Sequence, residues 1–159
     1  MQSYLIKKRS FAGRSYDIFD AAGQMVYFIK PQPFSFGISL DMYDPQGEKV
    51  ATLIRKWMVT KTTYEVFLGE TLFAEIKRTS LFSPNLMIDL PGDEHDLTVT
   101  NKWMSRKFKF YHGKTQIAQA EKKALSLMGE VKVNILADED ELMILATATL
   151  LSLRAFGNS

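Results

Sequence analysis

The chain has 159 residues, 20 Lys and Arg against 18 Asp and Glu, and a formal charge of +2; it is 46% apolar and 24% charged. These are the proportions of an ordinary folded protein long enough to bury a core, and the small charge gives no ground for expecting nucleic acid as a partner. Its lack of cysteine excludes disulfides, thiolate metal sites and cysteine catalysis.

The first residues, Met1 to Lys8, contain no apolar signal region of useful length. The longest apolar stretch, Leu142 to Leu151, is about half of what a bilayer span needs. The expectation is a cytoplasmic protein, peripheral at the membrane if it meets one, and not an integral membrane protein.

From Tyr16 onward one short phrase repeats with a 24-residue step: Tyr16-Asp17-Ile18-Phe19-Asp20, Leu40-Asp41-Met42-Tyr43-Asp44 and Tyr64-Glu65-Val66-Phe67. Each phrase reaches a glycine (Gly23, Gly47, Gly69) and returns. Tyr16, Ile18, Leu40, Met42, Tyr64, Val66, Phe108 and Phe110 take one face, while Asp17, Asp41, Glu65 and Lys109 take the other. A period of two with one apolar face predicts half-buried antiparallel strands. Asp20-Ala-Ala-Gly23 and Asp44-Pro-Gln-Gly47 place Asp first and Gly last, as type I turns prefer. Continued along the chain, the pattern predicts twelve strands near 3–9, 14–20, 24–30, 38–44, 48–56, 62–68, 71–78, 86–90, 96–102, 106–112, 115–122 and 131–136. Pro31, Pro33 and Pro84 fall in connectors, where a missing backbone donor does no harm. With no Pro/Gly/Ser linker between the strands, residues 1–159 read as a single domain.

The tail changes period. Asp138-Glu139-Asp140-Glu141 precedes an apolar run from Leu142 to Leu153 that is interrupted only by Thr147, Thr149 and Ser152, whose hydroxyls can bond back to the preceding turn. Acidic residues ahead of the run and Arg154 after it suit a helix dipole, Asp138 or Asp140 can cap, and Gly157 can stop it. A helix apolar on every side has to be buried on every side. Twelve strands at roughly 4.8 Å spacing and about 40° tilt close into a barrel ~23 Å across. Inward side chains then leave about the ~10 Å that one helix fills. The sequence therefore predicts a mainly β fold, a closed antiparallel barrel of about twelve strands enclosing a hydrophobic C-terminal helix.

The phrases ending in Gly23 and Gly47, together with Arg55-Lys56-Trp57-Met58, Ile88-Asp89-Leu90-Pro91-Gly92 and the Leu142–Leu153 tail, resemble the tubby C-terminal-like superfamily and, within it, the LURP-one-related group. The resemblance implies the same barrel and central helix. It also implies a link to lipid, because tubby domains bind phosphoinositide headgroups through basic residues and phospholipid scramblases share the fold. The cysteine-rich lipidated segment and calcium loop of scramblases have no counterpart here, so scramblase-like activity ranks behind simple binding.

In an up-and-down barrel, successive turns alternate between two rims. Tight hairpins near Asp20, Asp44, Gly69, Asp93 and Gly113 share one rim, and longer connectors share the other. Basic residues gather at the connector ends: Lys7, Lys8, Arg9, Arg14, Lys30, Arg55, Lys56, Lys77, Arg78, Lys102, Arg106, Lys107, Lys122 and Lys123. The hairpin rim instead carries Asp20, Asp44, Glu48, Glu70, Asp93, Glu94, Asp96 and the 138–141 cluster, which makes the molecule bipolar.

Phe11, Phe34, Phe36, Trp57, Phe82 and Trp103 lie among the connector cations. The candidate anionic-lipid surface is thus Lys7, Lys8, Arg9, Arg55, Lys56, Trp57, Lys77, Arg78, Lys102, Trp103, Arg106, Lys122 and Lys123, with an anionic membrane surface or phosphoinositide as its partner. The plainer reading, which the sequence favours, folds the aromatics inward as an end plug and leaves the lysines to solvate strand ends. The outward ring Phe19, Tyr43, Phe67 and Tyr111 reads mainly as cross-strand packing and only secondarily as a partner patch; the alternatives are a protein-interaction scaffold using that ring, and an enzyme or carrier using the barrel interior. His95 with its flanking carboxylates, and the Asp17/Asp20 and Asp41/Asp44 pairs, read as solvated turns. No metal, cofactor or catalytic residue is expected, and no phosphate loop, nucleophile elbow or zinc-protease spacing occurs.

Overall fold

The computed structural model describes residues 1–10, 13–35, 37–56, 62–80, 82–92, 96–101, 106–126, 129–137 and 140–153. Twelve strands run in chain order: β1 Gln2–Lys8, β2 Tyr16–Phe19, β3 Met25–Pro31, β4 Ser39–Tyr43, β5 Lys49–Arg55, β6 Thr63–Leu68, β7 Thr71–Arg78, β8 Leu86–Asp89, β9 Leu97–Asn101, β10 Lys107–His112, β11 Thr115–Lys122 and β12 Val131–Ile135. Each pairs antiparallel with its chain neighbours, and β1 pairs with β12 (Tyr4 opposite Val133) to close the barrel. Closure leaves no strand edge exposed for aggregation.

The repeat has a structural signature that alternation alone does not convey. Register shifts fall between Ile18 and Phe19, Met42 and Tyr43, and Val66 and Phe67, at the same place in each phrase. A bulge there turns the strand sharply into its hairpin. Behind the first two bulges an aspartate organises the turn. The Asp20 carboxylate accepts the backbone N–H of Ala22 and of Gln24, both at 2.9 Å; the Asp44 carboxylate accepts those of Gln46 and Glu48 at 3.0 and 2.9 Å. Gly23 and Gly47 take the left-handed conformation each turn requires, at φ +78 and +86.

Helix α1, Glu141–Ser152, is 12 residues long and begins one residue ahead of the apolar run. Asp140 is its N-cap, accepting the Met143 N–H at 3.2 Å; Asp138, Glu139, Arg154 and Gly157 lie outside the described residues. Every residue from Met143 to Leu150 is buried, so the helix has no solvent face. It shares one core with inward residues of all twelve strands, among them Ile6, Ile18, Ile29, Met42, Leu53, Tyr64, Ile76, Ile88, Val99, Phe110, Ala120 and Val133. Thr147 and Thr149 donate their hydroxyls to the carbonyls of Met143 and Leu145 at 2.8 and 2.9 Å, which satisfies them inside an apolar core. No helix among the described residues is long and apolar enough to cross a membrane.

Both helix ends are fastened. At the hairpin rim Tyr4 and Tyr27 stand near Glu141; burial, reinforced by this carboxylate, pushes both phenols up from their ordinary value. At the connector rim Lys122 Nζ donates to the Leu151 carbonyl at 3.1 Å, a cation at the negative end of the helix dipole supplied from β11.

Candidate interfacial rim

Topology places Lys7, Lys8 and Arg9 (β1 end), Arg55 and Lys56 (β5 end), Lys77 and Arg78 (β7 end), Arg106 (before β10) and Lys122 and Lys123 (β11 end) on one rim, as alternation of turns requires. Lys102, Trp57 and Trp103 lie outside the described residues, as do Phe11 and Phe36.

The rim is not a bare ring of cations. Carboxylates set back on the outer wall clasp several of them. Arg9 forks onto Asp17 through Nε, at 3.3 Å, and a terminal nitrogen. Lys56 reaches Glu75 at 3.3 Å and Glu65 at 3.5 Å. Lys123 and Lys7 share Glu130, at 2.8 and 3.8 Å, and Lys107 meets Glu121 at 3.8 Å. The hydrogen bond from Lys123 holds the Glu130 carboxyl below its ordinary range. Arg78 Nε donates to the Ser83 carbonyl at 3.2 Å, bracing its own connector. Cations nonetheless remain in excess at this end among the described residues. The opposing carboxylates here are Asp17, Glu65, Glu75, Glu121 and Glu130. At the hairpin end Asp20, Asp44, Glu48, Glu70, Asp89, Asp96, Asp140 and Glu141 face Lys49, Lys114 and the chain's N-terminus. The two ends therefore differ in sign.

The inward plug fails for the connector aromatics that are described. Phe34 is 100% exposed and Phe82 is 97% exposed. Leu125, on the β11–β12 connector, is 96% exposed as well, a tip that a search for aromatics passes over. The three occupy the β3–β4, β7–β8 and β11–β12 connectors, which lie four strands apart around a closed ring of twelve. On a barrel ~23 Å across they stand at the corners of a triangle with sides of roughly 20 Å.

Each tip sits on a hydrogen-bonded base. Below Phe34, the Gln32 N–H donates to the Ser39 carbonyl at 2.9 Å and the Ser35 hydroxyl to the Gln32 carbonyl at 3.1 Å. Around Phe82, the Thr79 N–H donates to the Asn85 carbonyl at 3.0 Å and the Asn85 N–H to the Ser83 hydroxyl at 3.2 Å. Beside Leu125, Ser126 accepts the Gly129 N–H on its carbonyl and the Glu130 N–H on its hydroxyl, at 3.2 and 3.1 Å. Phe34 itself has φ +60, a left-handed conformation that is an outlier for a bulky side chain.

One feature was beyond sequence reasoning. Asp41, expected to face solvent, is buried on the outer wall of β4. Its carboxylate accepts from Thr52 Oγ1 at 2.9 Å and Gln32 Nε2 at 3.0 Å, with Lys49 Nζ at 3.4 Å. Two members of the outward ring are engaged across strands as cross-strand packing predicts: Tyr43 stacks on Phe28, its register partner, at 5.0 Å, and Lys7 lies 5.7 Å from the Phe19 ring centroid. His95 lies outside the described residues.

The family model for LURP-one-related proteins matches residues 1–152, spanning all twelve strands and α1. The chain belongs to the LURP-one-related family. Among solved structures, the crystal structure of an Arabidopsis thaliana protein superimposes on this LURP-one-related barrel with a TM-score of 0.71, covering 96% of this chain and 91% of that one at 19% identity, a likeness of fold alone. An uncharacterized protein of Bacillus subtilis (strain 168), YxjI, is 27% identical over 124 residues, covering 66% of this chain and 76% of the relative.

Proposed function

We propose that this LURP-one-related protein is a non-enzymatic binding module that docks end-on at anionic phospholipid through its connector rim. The observation that carries the reading is the exposure of Phe34, Phe82 and Leu125 on braced connectors among rim cations. Burying such a side chain contributes about 1.5–3 kcal/mol, and each basic residue near an anionic leaflet adds about 1 kcal/mol. Neither contribution anchors a protein alone, but the two together support reversible binding. The acidic hairpin rim is repelled by the same surface, which sets the orientation.

A scaffold built on the outward aromatics is the weaker reading, because Tyr43 is stacked on Phe28 and Phe19 is covered by Lys7. An interior ligand would have to occupy the space that α1 fills.

The test is co-sedimentation with vesicles containing phosphatidylserine. Replacing Phe34, Phe82 and Leu125 with Ser should weaken binding by about a thousandfold or more, and added salt should weaken the wild-type interaction. If binding is unchanged both by that triple variant and by Arg55→Glu, Lys56→Glu and Lys123→Glu combined, the rim is not the docking face.

A further inference from the structure

Asp41 is the one charged residue buried among the described residues, and it is buried on the outside of the barrel. Alternation along β4 turns it away from the core that Leu40 and Met42 enter. Strand register sets Lys30 of β3 on one side of it and Thr52 of β5 on the other. Both carboxylate oxygens are taken. Oδ1 accepts from Thr52 Oγ1 at 2.9 Å and from Gln32 Nε2 at 3.0 Å. Oδ2 meets the Tyr43 hydroxyl and Lys49 Nζ, each at 3.4 Å. A buried charge is tolerated only when it is satisfied in this way, and a position that merely fills a wall is met at less cost by an apolar side chain.

One of these donors leads out of the wall. Gln32 stands in the β3–β4 connector between Pro31, which ends β3, and Pro33. Neither proline has a backbone N–H to give, so the attachment of this stretch falls to Gln32. Its N–H donates to the Ser39 carbonyl at 2.9 Å, its carbonyl accepts the Ser35 hydroxyl at 3.1 Å, and its side-chain amide ends on Asp41. Phe34 lies between Gln32 and Ser35, at φ +60 and fully exposed. A ring in solvent does not hold a strained backbone in place; the surroundings have to impose that conformation.

We infer that Asp41 is a positioning residue for docking: through Gln32 it holds the β3–β4 connector in the conformation that presents Phe34 at the rim. This rests on the docking reading above and names, within it, the group that prepares one of the three apolar tips. A tip ordered in advance loses less conformational freedom on insertion, so Asp41 raises affinity without touching lipid. The Phe82 connector is braced separately, by Arg78 Nε on the Ser83 carbonyl at 3.2 Å, and so serves as an internal control.

The experiment uses the full chain with Gln32→Ala, Asp41→Ala and their combination. Backbone amide order parameters at residues 34 and 35 should fall from the rigid value of about 0.85 to below about 0.6 in each variant, while those at 82 and 83 hold. Affinity for phosphatidylserine vesicles should drop about threefold to tenfold in each single variant. The double variant should bind no worse than the weaker single one, because both changes break the same link. Asp41→Asn keeps an oxygen for Gln32 and Thr52, and should restore both the order and the affinity. In a Phe34→Ser background, Asp41→Ala should leave vesicle affinity unchanged, a result that general destabilisation does not produce.

Unchanged order at residues 34 and 35 in both single variants overturns the inference and leaves docking intact. Loss of order with full vesicle affinity also overturns it, since the connector would then be held for the fold alone. Loss of order equal at 34 and 82 does the same, by marking a global effect. If the wild-type chain binds no vesicles, the docking reading falls and takes the docking role of Asp41 with it, whatever the order parameters show.

Discussion

Phe34 combines a left-handed backbone with complete exposure, so it gains nothing from burial to offset its strain. A left-handed non-glycine residue costs about 1–2 kcal/mol, and Asn tolerates the conformation far better. Phe34→Asn is therefore expected to raise the unfolding free energy in urea by about 0.5–1 kcal/mol while lowering affinity for phosphatidylserine vesicles. A loss of stability would mean that the ring supports the fold, which is a structural role. Glu130 poses the opposite trade. Its folded carboxyl lies below the ordinary 4.5 because Lys123 bonds it. The stabilisation is present above pH 4.5 and is lost as pH falls through the lower folded value. Urea unfolding should therefore show Glu130→Gln less stable than wild type at neutral pH, with the gap closing in acid. Freed from the carboxylate, Lys7 and Lys123 should also bind anionic vesicles more tightly.

At the scale of elements, α1 departs from the ordinary amphipathic helix because it lies inside a barrel and has no water-facing side. Its stability rests on packing, with Asp140 capping its start and Lys122 holding its end. Leu145→Ala should cost about 2–5 kcal/mol by chemical denaturation, the penalty of a core cavity. A cost below ~1 kcal/mol would place the helix outside the core. Among the strands, the aspartate-glycine turns were legible because their chemistry is local: one carboxylate, two nearby N–H groups and one left-handed residue. The bulges that accompany them were not, since a bulge is a property of two paired strands. The burial of Asp41 escaped for the same reason, as its donors come from residues 32, 49 and 52.

For the whole molecule, the proposed docking gives an orientation, since one end is cationic with three apolar corners and the far end is acidic. Three points fix a plane, so the barrel axis should stand close to the membrane normal. An environment-sensitive fluorophore placed at residue 34, 82 or 125 should shift to the blue on adding phosphatidylserine vesicles, and one at Gln46 on the opposite rim should not. A blue shift at Gln46 equal to that at the tips would rule out end-on docking. The rim cations were readable from sequence because alternation of turns assigns each connector to an end. Their engagement was not, because Lys56 finds Glu75 and Lys7 finds Glu130 only across paired strands.

Alternating apolar positions, turn residues with a mechanism and an apolar run too short for a bilayer were enough to require a closed barrel of twelve strands around a buried helix. They sufficed because periodicity and turn chemistry act within a few residues. Whether connector side chains turn inward or outward and which cations are clasped by carboxylates were decided by tertiary structure. Those facts depend on strand register and on loops braced from below, which bring together residues that the chain keeps far apart.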